Sequence, residues 1–248
     1  MKVGRPIKLT GHSVDVKQFE NINTKEVAYF LGFLWADGSI YHRGYQYRIE
    51  IEIAKSDGVV LSELLSSIGR WNVQTRRRKV SKQPSMKFSC NNRFLYQFLY
   101  DTDYGYKSTK PPSKILEKIP TDLHHYFWRG YLDGDGCIYL TKKLGRVNGI
   151  RVNFWGTYRQ DWTALRTLCA SMNINVALYK YDRIIRGKHQ RSSTIYILGS
   201  DGRKKLLDYI FQGEPIGLTR KMMKYQCFRD GQPQPMSEDS VPDAPPPM

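Results

Sequence analysis

The sequence predicts an α+β protein made of two pseudo-symmetric αββαββα repeats with antiparallel sheets. Three observations lead to this fold class. Residues 23–38 read NTKEVAYFLGFLWADG and residues 121–136 read TDLHHYFWRGYLDGDG, so an aromatic-rich segment ending in Asp-Gly occurs twice, with the aspartates 135 − 37 = 98 positions apart. The same order of strand and helix patterns follows each copy. A segment interrupted by Pro111, Pro112 and Pro120 separates the two series.

The first repeat begins with about three turns of helix, which a capping-type residue opens and Asp-Gly closes. A hairpin follows, in which Ile49, Ile51 and Ile53 alternate with polar residues at the strand period of two. We then expect a helix over about residues 58–68, strands through VQTRRRKV and SMKFSCN, and a helix through RFLYQFLYD.

The second repeat has the same order of elements. Its opening helix leads into CIYLTKKLGRVNGIRVNFWGT, where Ile150, Val152 and Phe154 alternate with polar or aromatic residues. A helix (DWTALRTLCASM), strands through NVALYKYDR and STIYILG, and a helix (GRKKLLDYIF) complete it. We therefore divide the chain into repeats 1–110 and 111–230 and a Pro-rich acidic tail, 231–248, which we expect to be disordered.

The charge balance indicates a polyanionic partner. The 248 residues include 39 Lys and Arg against 23 Asp and Glu, a formal charge of +16, and without the tail the balance is 39 − 20 = +19. No apolar stretch is long enough for a membrane span and no signal-peptide core is evident, so we expect a soluble, intracellular protein with no membrane partner. The four separated cysteines are expected to be reduced.

Two small-residue pairs predict that the opening helices of the repeats touch. Glycine inside a helix costs roughly 1 kcal/mol relative to alanine, so Gly32 and Gly130 need a reason. Gly32 with Ala36, and Gly130 with Gly134, place small residues at i and i+4 on one face, where two helices can pack almost backbone to backbone. Such packing would bring the two helix C-termini together.

Asp37 and Asp135 lie at these C-termini, where the helix dipole disfavours an anion by about 0.3 to 1 kcal/mol. A bound cation removes that penalty, and two carboxylates with open coordination positions suit Mg²⁺. We include Gly38 and Gly136 in the predicted metal site, and both match the left-handed residue that often ends a helix. A turn without function is the alternative for one Asp-Gly pair, but not for two in the same context.

FLGFLWADG (residues 30–38) and WRGYLDGDG (residues 128–136) resemble the two signature motifs of single-chain LAGLIDADG homing endonucleases, and the resemblance covers roughly residues 22–228. It implies saddle-shaped sheets on double-stranded DNA, paired signature helices, and Asp37 and Asp135 as ligands of two or three Mg²⁺ ions, which Mn²⁺ or Ca²⁺ could replace for binding. It also implies a monomer with no protein partner, which cuts both strands of a long asymmetric site and leaves 3′ overhangs. Trp35 departs from the motif where the second copy has Asp133.

Each sheet should present one face to DNA. Two sheets of strands about 30 Å long, end to end, would cover about 18 base pairs. The candidate DNA contacts are Arg48, Gln74, Arg76, Arg78, Lys87, Asn91, Arg151, Asn153, Tyr179, Tyr181 and Arg183. For any single charge the alternative is a solvated surface, because strand residues point to both faces.

A basic residue near the metals would stabilise the charge that develops on the phosphate. The repeats end in DTDYGYKSTK and FQGEPIGLTRK, and the resemblance implies Lys107 in the first and Arg220 or Lys221 in the second for this part. Ordinary phosphate contacts are the alternative for both stretches. An RNA-binding intron maturase on the same fold is the alternative function, followed by a DNA-binding regulator without cleavage; the intact acidic pair favours the endonuclease.

Overall fold

A computed structural model describes residues 15–77, 83–143, 146–185 and 187–231. The predicted DNA contact Arg78 and nearly all of the predicted tail lie outside these ranges. Within them, no helix has the length and apolar character needed to cross a membrane. All four cysteines are free thiols.

The first repeat contains the predicted helices and strands. Its elements are α1 (Lys17–Glu20), α2 (Lys25–Asp37), β1 (Gly38–Arg43), β2 (Gln46–Ala54), α3 (Lys55–Ile68), β3 (Asn72–Arg77), β4 (Pro84–Asn91) and α4 (Arg93–Asp101). The side chain of Thr24 caps α2 by accepting a hydrogen bond from the Val27 amide, and Asn92 caps α4 in the same way. The predicted start of α2 therefore has a local cause in the sequence.

A connection of short helical turns joins the repeats: Tyr104–Tyr106, α5 (Ser113–Leu116) and Thr121–Leu123. The second repeat consists of α6 (His124–Asp135), β5 (Gly136–Lys143), β6 (Arg146–Thr157), α7 (Thr163–Ser171), β7 (Val176–Ile185), β8 (Lys188–Ile197), α8 (Ser200–Ile210) and α9 (Thr219–Arg229). The prediction ended at α8, so α9 was missed. Helix α6 also lacks the predicted side-chain cap, because a 3₁₀ turn leads into it.

Each repeat forms its own antiparallel four-stranded sheet, in the orders β1-β2-β4-β3 and β5-β6-β8-β7. The equal strand order in both sheets confirms the predicted α+β fold class. One face of each sheet is buried, with Ile49 and Ile51 in the first and Val152 and Phe154 in the second. Helices α2 and α6 lie side by side and are buried over most of their length, so they form the centre of the molecule.

Candidate active centre and strand faces

Helices α2 and α6 touch through glycine. A methyl group placed on Gly32 would lie 1.8 Å from the carbonyl oxygen of Phe127, and one on Gly130 would lie 2.0 Å from that of Tyr29. Real side chains do not approach backbone so closely, so each helix crosses the other at a position that only glycine can occupy. The two crossings are equivalent, because each pairs a glycine with the backbone of the opposite helix.

The contact continues to the helix ends, where the two aspartates lie. A methyl group on Gly134 would be 2.4 Å from Cβ of Ala36 and 3.5 Å from Cγ of Asp37. Asp37 is exposed and Asp135 is half-buried. Burial raises the pKa of Asp135 to about 7, the charge of Asp37 adds to that increase, and Lys107 and Lys221 oppose it. The close packing at Gly32, Ala36, Gly130 and Gly134 thus brings the carboxylates of Asp37 and Asp135 near each other, and their charges repel.

The glycines after the aspartates do not adopt the left-handed conformation that the sequence suggested. Gly38 has φ −82° and Gly136 has φ −88°, both in the extended region, because each helix passes directly into a strand. Close packing explains the residue type instead. A methyl on Gly38 would lie 2.3 Å from Cδ1 of Leu34, and one on Gly136 would lie 2.4 Å from Cδ1 of Leu132.

Lys221 lies on α9, and its buried ammonium group closes the end of α6. Its Nζ donates to the carbonyl oxygens of Leu132 (2.6 Å), Asp133 (2.7 Å) and Gly136 (2.7 Å). Lysine has three N–H donors, so all of them are engaged. Burial lowers the pKa of Lys221. This lysine replaces a left-handed glycine as the group that satisfies the last carbonyls of the helix.

Lys107 occupies the corresponding place at the end of α2. Its Nζ donates to the carbonyl oxygens of Ala36 (2.8 Å) and Gly38 (2.7 Å), while the hydroxyl of Tyr104 donates to that of Leu34 (2.7 Å). Among the described residues, two acceptors leave one N–H of this lysine for another partner. Burial lowers its pKa to about 8, and Asp135 and Asp37 oppose the decrease. The two lysines are therefore not equivalent.

Trp35 and Asp133 occupy the same position of the two motifs, and their side chains have different partners in the structure. In the second repeat, Oδ2 of the buried Asp133 accepts hydrogen bonds from the hydroxyl of Tyr29 and the amide of Leu218, both at 2.8 Å. In the first repeat, Trp35 instead packs edge-on against Tyr104, with ring centroids 5.7 Å apart. The sequence motif marked both positions but did not reveal these partners.

Arg220, the other basic candidate, is committed to the opposite repeat. Its guanidinium makes a bidentate ion pair with Asp57 of α3, with contacts of 2.8 to 3.1 Å. Lys25 of α2 is paired with Glu214 across the same boundary. These pairs join the repeats, and Asp57 had no signal in the sequence analysis.

Comparison with solved structures gives the same architecture. The homing endonuclease I-WcaI bound to its DNA recognition sequence matches over 91% of this chain and 95% of its own, with a TM-score of 0.54 and 12% identity. I-DmoI in complex with DNA and Ca matches over 81% and 97%, with a TM-score of 0.52 and 15% identity. This chain has the fold of the single-chain LAGLIDADG homing endonucleases. No family model and no curated protein matches its sequence.

Helices α2 and α6 lie behind two strand faces that point away from the core. The outward face of the first sheet carries the predicted contacts Arg48, Gln74, Arg76, Lys87 and Asn91. On β2 and β4 these residues alternate with buried residues, and across the strands Arg48 lies opposite Asn91 and Gln74 opposite Lys87, on the side of the sheet away from the buried isoleucines. Glu50 lies among them and pairs with Lys87 (2.6 Å) and Arg48 (3.3 Å). Glu50 was not among the predicted contacts, and it neutralises part of their charge.

The outward face of the second sheet carries the predicted contacts Arg151, Asn153, Tyr179, Tyr181 and Arg183. One of them is not accessible. Asn153 is only 2% exposed, although Arg151 and Trp155, two positions away on the same face of the strand, are exposed. Asn153 therefore cannot reach a base edge in this conformation. The alternation of residues along the strand predicted which face Asn153 lies on, but not that it would be buried there.

Proposed function

We propose that this protein is a site-specific endonuclease that hydrolyses both strands of a long, asymmetric DNA target and leaves 3′ overhangs. The observation that carries the proposal is the glycine-mediated contact of α2 and α6, which places Asp37 and Asp135 together between two outward strand faces. The fold neighbours support DNA as the partner, since I-WcaI is bound to its DNA recognition sequence. One chain supplies both repeats, so we propose that it acts as a monomer.

Asp37 and Asp135 are the residues we propose as ligands of Mg²⁺. The donor set fits this ion, because hard divalent cations prefer carboxylate oxygen, with water and phosphate oxygens completing the shell. Burial, and after it the charge of Asp37, raises the pKa of Asp135, although Lys107 and Lys221 oppose the increase, so a bound cation would favour the ionised carboxylate. The carbonyls of Gly38 and Gly136 accept from lysines and are the less suitable ligands. Bound Mg²⁺ would supply Lewis-acid activation of the phosphate and of an attacking water.

We assign different roles to the two lysines. Lys107 donates to only two acceptors within the described part of the chain, and its Nζ lies 5.1 Å from the ring centroid of Tyr104, so its third N–H can donate to the phosphate on which charge develops. Lys221 has no such donor, and its role is to hold the end of α6 and thereby position Asp135. The proposal keeps Lys107 as a catalytic residue and makes Lys221 a positioning residue.

The test begins with the full chain and a library of randomised duplexes, bound in Ca²⁺ and enriched over several rounds. We expect one long sequence to be enriched, and Mg²⁺ to cause cleavage of both of its strands while EDTA prevents it. Asp37→Asn and Asp135→Asn should each abolish double-strand cleavage and leave binding largely intact. Asp201→Asn, which changes an exposed aspartate of α8, is the matched control and should cut normally.

Near wild-type cleavage by Asp37→Asn or Asp135→Asn in Mg²⁺ would contradict the assignment. Specific enrichment without cleavage would favour a DNA-binding regulator. A protein that binds structured RNA but enriches no duplex would favour the maturase alternative, because assistance to splicing does not require the acidic pair.

A further inference from the structure

Aromatic side chains dominate the outward face of the second sheet. Trp155 on β6 and Tyr179 on β7 are 39% and 52% exposed, and both flank Thr194 of β8 in the strand register. The ring centroids of Trp155 and Tyr181 are 6.3 Å apart, and those of Tyr179 and Tyr196 are 5.5 Å apart. These four rings form two ring pairs on the outward face of the sheet, and we call them the aromatic layer.

The aromatic layer covers polar groups that would otherwise be open to solvent. Thr194 is fully buried although it faces outward, and its hydroxyl has no partner among the described residues. Asn153, opposite Tyr196, is 2% exposed. Around Thr194 this face therefore offers a ligand the surface of the rings and not the polar groups below them, while the exposed Arg151 and Arg183 lie beside the rings on the same face.

The corresponding face of the first sheet is different. It presents Arg48, Arg76, Lys87 and the acidic Glu50, whereas the described part of the second outward face contains no acidic residue. Charged and amide groups read hydrogen-bonding base edges, while apolar surface suits the methyl group that thymine alone among the four bases presents in the major groove. Pressing the amino and carbonyl edges of G·C pairs against rings would cost hydration without replacement.

We propose that the aromatic layer is a specificity determinant that recognises thymine methyl groups. The half-site that contacts the second sheet is accordingly rich in A·T pairs, while the first sheet reads its half-site through charged and amide groups. This inference rests on the proposed function and names the base class that one half of the same surface selects.

The test replaces each thymine of the enriched duplex by deoxyuridine, which lacks the C5 methyl, and measures binding in Ca²⁺. Because burial of one methylene is worth about 0.8 kcal/mol, each contacted methyl should weaken binding about fourfold when removed. These penalties should cluster in one half-site. Adding a methyl there, by changing dC to 5-methyl-dC at a permitted position, should strengthen binding by a similar factor.

Protein variants assign the penalties to the aromatic layer. In Tyr179→Ala, which truncates a side chain that is 52% exposed, deoxyuridine at the contacted position should cost less than twofold. Arg76→Ala on the first sheet is the control and should leave the deoxyuridine penalty unchanged. Melting temperatures of both variants check that each remains folded.

A duplex that is specifically bound and cut, but whose thymine methyls do not matter in either half, would overturn this inference alone. An undiminished deoxyuridine penalty in both Tyr179→Ala and the corresponding Trp155→Ala would do the same. Failure to enrich any duplex would overturn the proposed function together with it.

Discussion

At the residue scale, the carbonyl groups at the ends of α2 and α6 explain why two lysines from distant segments lie at the centre of the molecule. The last carbonyls of a helix have no partner within it and must be satisfied when buried. Lys221 donates to the carbonyls of Leu132 and Asp133 at the end of α6 and to that of Gly136 at the start of β5. Lys107 donates to those of Ala36 and Gly38, where α2 passes into β1. In the first repeat the hydroxyl of Tyr104 takes over a further carbonyl, that of Leu34.

Lys221→Met should therefore destabilise the protein. The buried carbonyls of Asp133 and Gly136 lose this donor at a cost of about 1 kcal/mol or more each, while that of Leu132 keeps the Gly136 amide. About 2 kcal/mol corresponds to a decrease of about 4 to 8 °C in melting temperature for a chain of this size. Lys205→Met, on the exposed surface of α8, should change it by less than about 2 °C. An unchanged melting temperature for Lys221→Met would mean that these hydrogen bonds do not hold the helix end.

The paired aspartates predict that Mg²⁺ stabilises the folded chain in the absence of DNA. A ligand that binds only the folded state adds about 2.7 kcal/mol at a concentration 100 times its dissociation constant, because it shifts the folding equilibrium. Thermal unfolding with Mg²⁺ and with EDTA measures this effect. The double variant Asp37→Asn, Asp135→Asn should show no Mg²⁺ effect, and an equal shift in both proteins would place the ion elsewhere.

At the element scale, the contact between α2 and α6 sets the distance between the aspartates. The helices approach so closely that the backbone of each occupies the place of a side chain on the other, at Gly32 and at Gly130. Helix propensity opposes this choice of residue, since alanine would favour the helix by about 1 kcal/mol. Packing is therefore the stronger effect at both positions.

Gly130→Leu should be both destabilised and inactive. A Cβ at this position would lie 2.0 Å from a backbone oxygen, so the helices must separate, and overpacking costs roughly 1 to 3 kcal/mol against a propensity gain of about 0.8 kcal/mol. Displacing Asp37 from Asp135 by about 1 Å can lower the cleavage rate about a hundredfold. Urea unfolding and cleavage rates of the variant measure the two effects.

Gly202→Ala in α8 is the control, because its new methyl would meet only the side chain of Ile174, at 3.1 Å. It should change stability by less than about 1 kcal/mol and leave cleavage unaffected. A Gly130→Leu protein that is more stable than the wild type and fully active would rule out the tight contact.

At the scale of the whole molecule, ion pairs join the two repeats and a large positive charge faces outward. Arg220 with Asp57, and Lys25 with Glu214, connect segments of different repeats. Two further contacts cross the boundary: Gln160 donates to the carbonyl of Lys107, and Thr157 to that of Ser108. The segments that carry Lys107 and Arg220 are therefore each bound by the opposite repeat. These contacts fix the positions of the two repeats, and hence of Asp37 and Asp135, relative to each other.

The formal charge of +16 predicts that DNA binding weakens steeply with salt. Neutralising about 8 phosphates would give a slope of about −7 for log affinity against log salt, because each contact releases condensed counterions. Titrations in KCl, with Ca²⁺ fixed, measure the slope. A slope shallower than about −2 would mean that the basic strand faces are not the interface.

The sequence by itself determined the repeat, the order of the strands and of the helices α2 to α4 and α6 to α8, the close approach of α2 and α6, and the position of the two aspartates. These features depend on local periodicity and on residue types within single segments, so they can be read without knowing the chain path. The domain limits at 110 and 230 and the individual DNA contacts stay predictions. For the same local reason, a capping residue at the start of α2 could be predicted, and Thr24 has this role.

The tertiary structure alone decided which groups complete those segments. Lys221 meets Leu132 across 89 positions, and Arg220 meets Asp57 across 163. No local pattern encodes such contacts, since each depends on where two separate elements pack. The extended conformation of Gly38 and Gly136, and the burial of Asn153, have the same origin: neighbours brought in from other parts of the chain, and not the residue's own segment, set its environment.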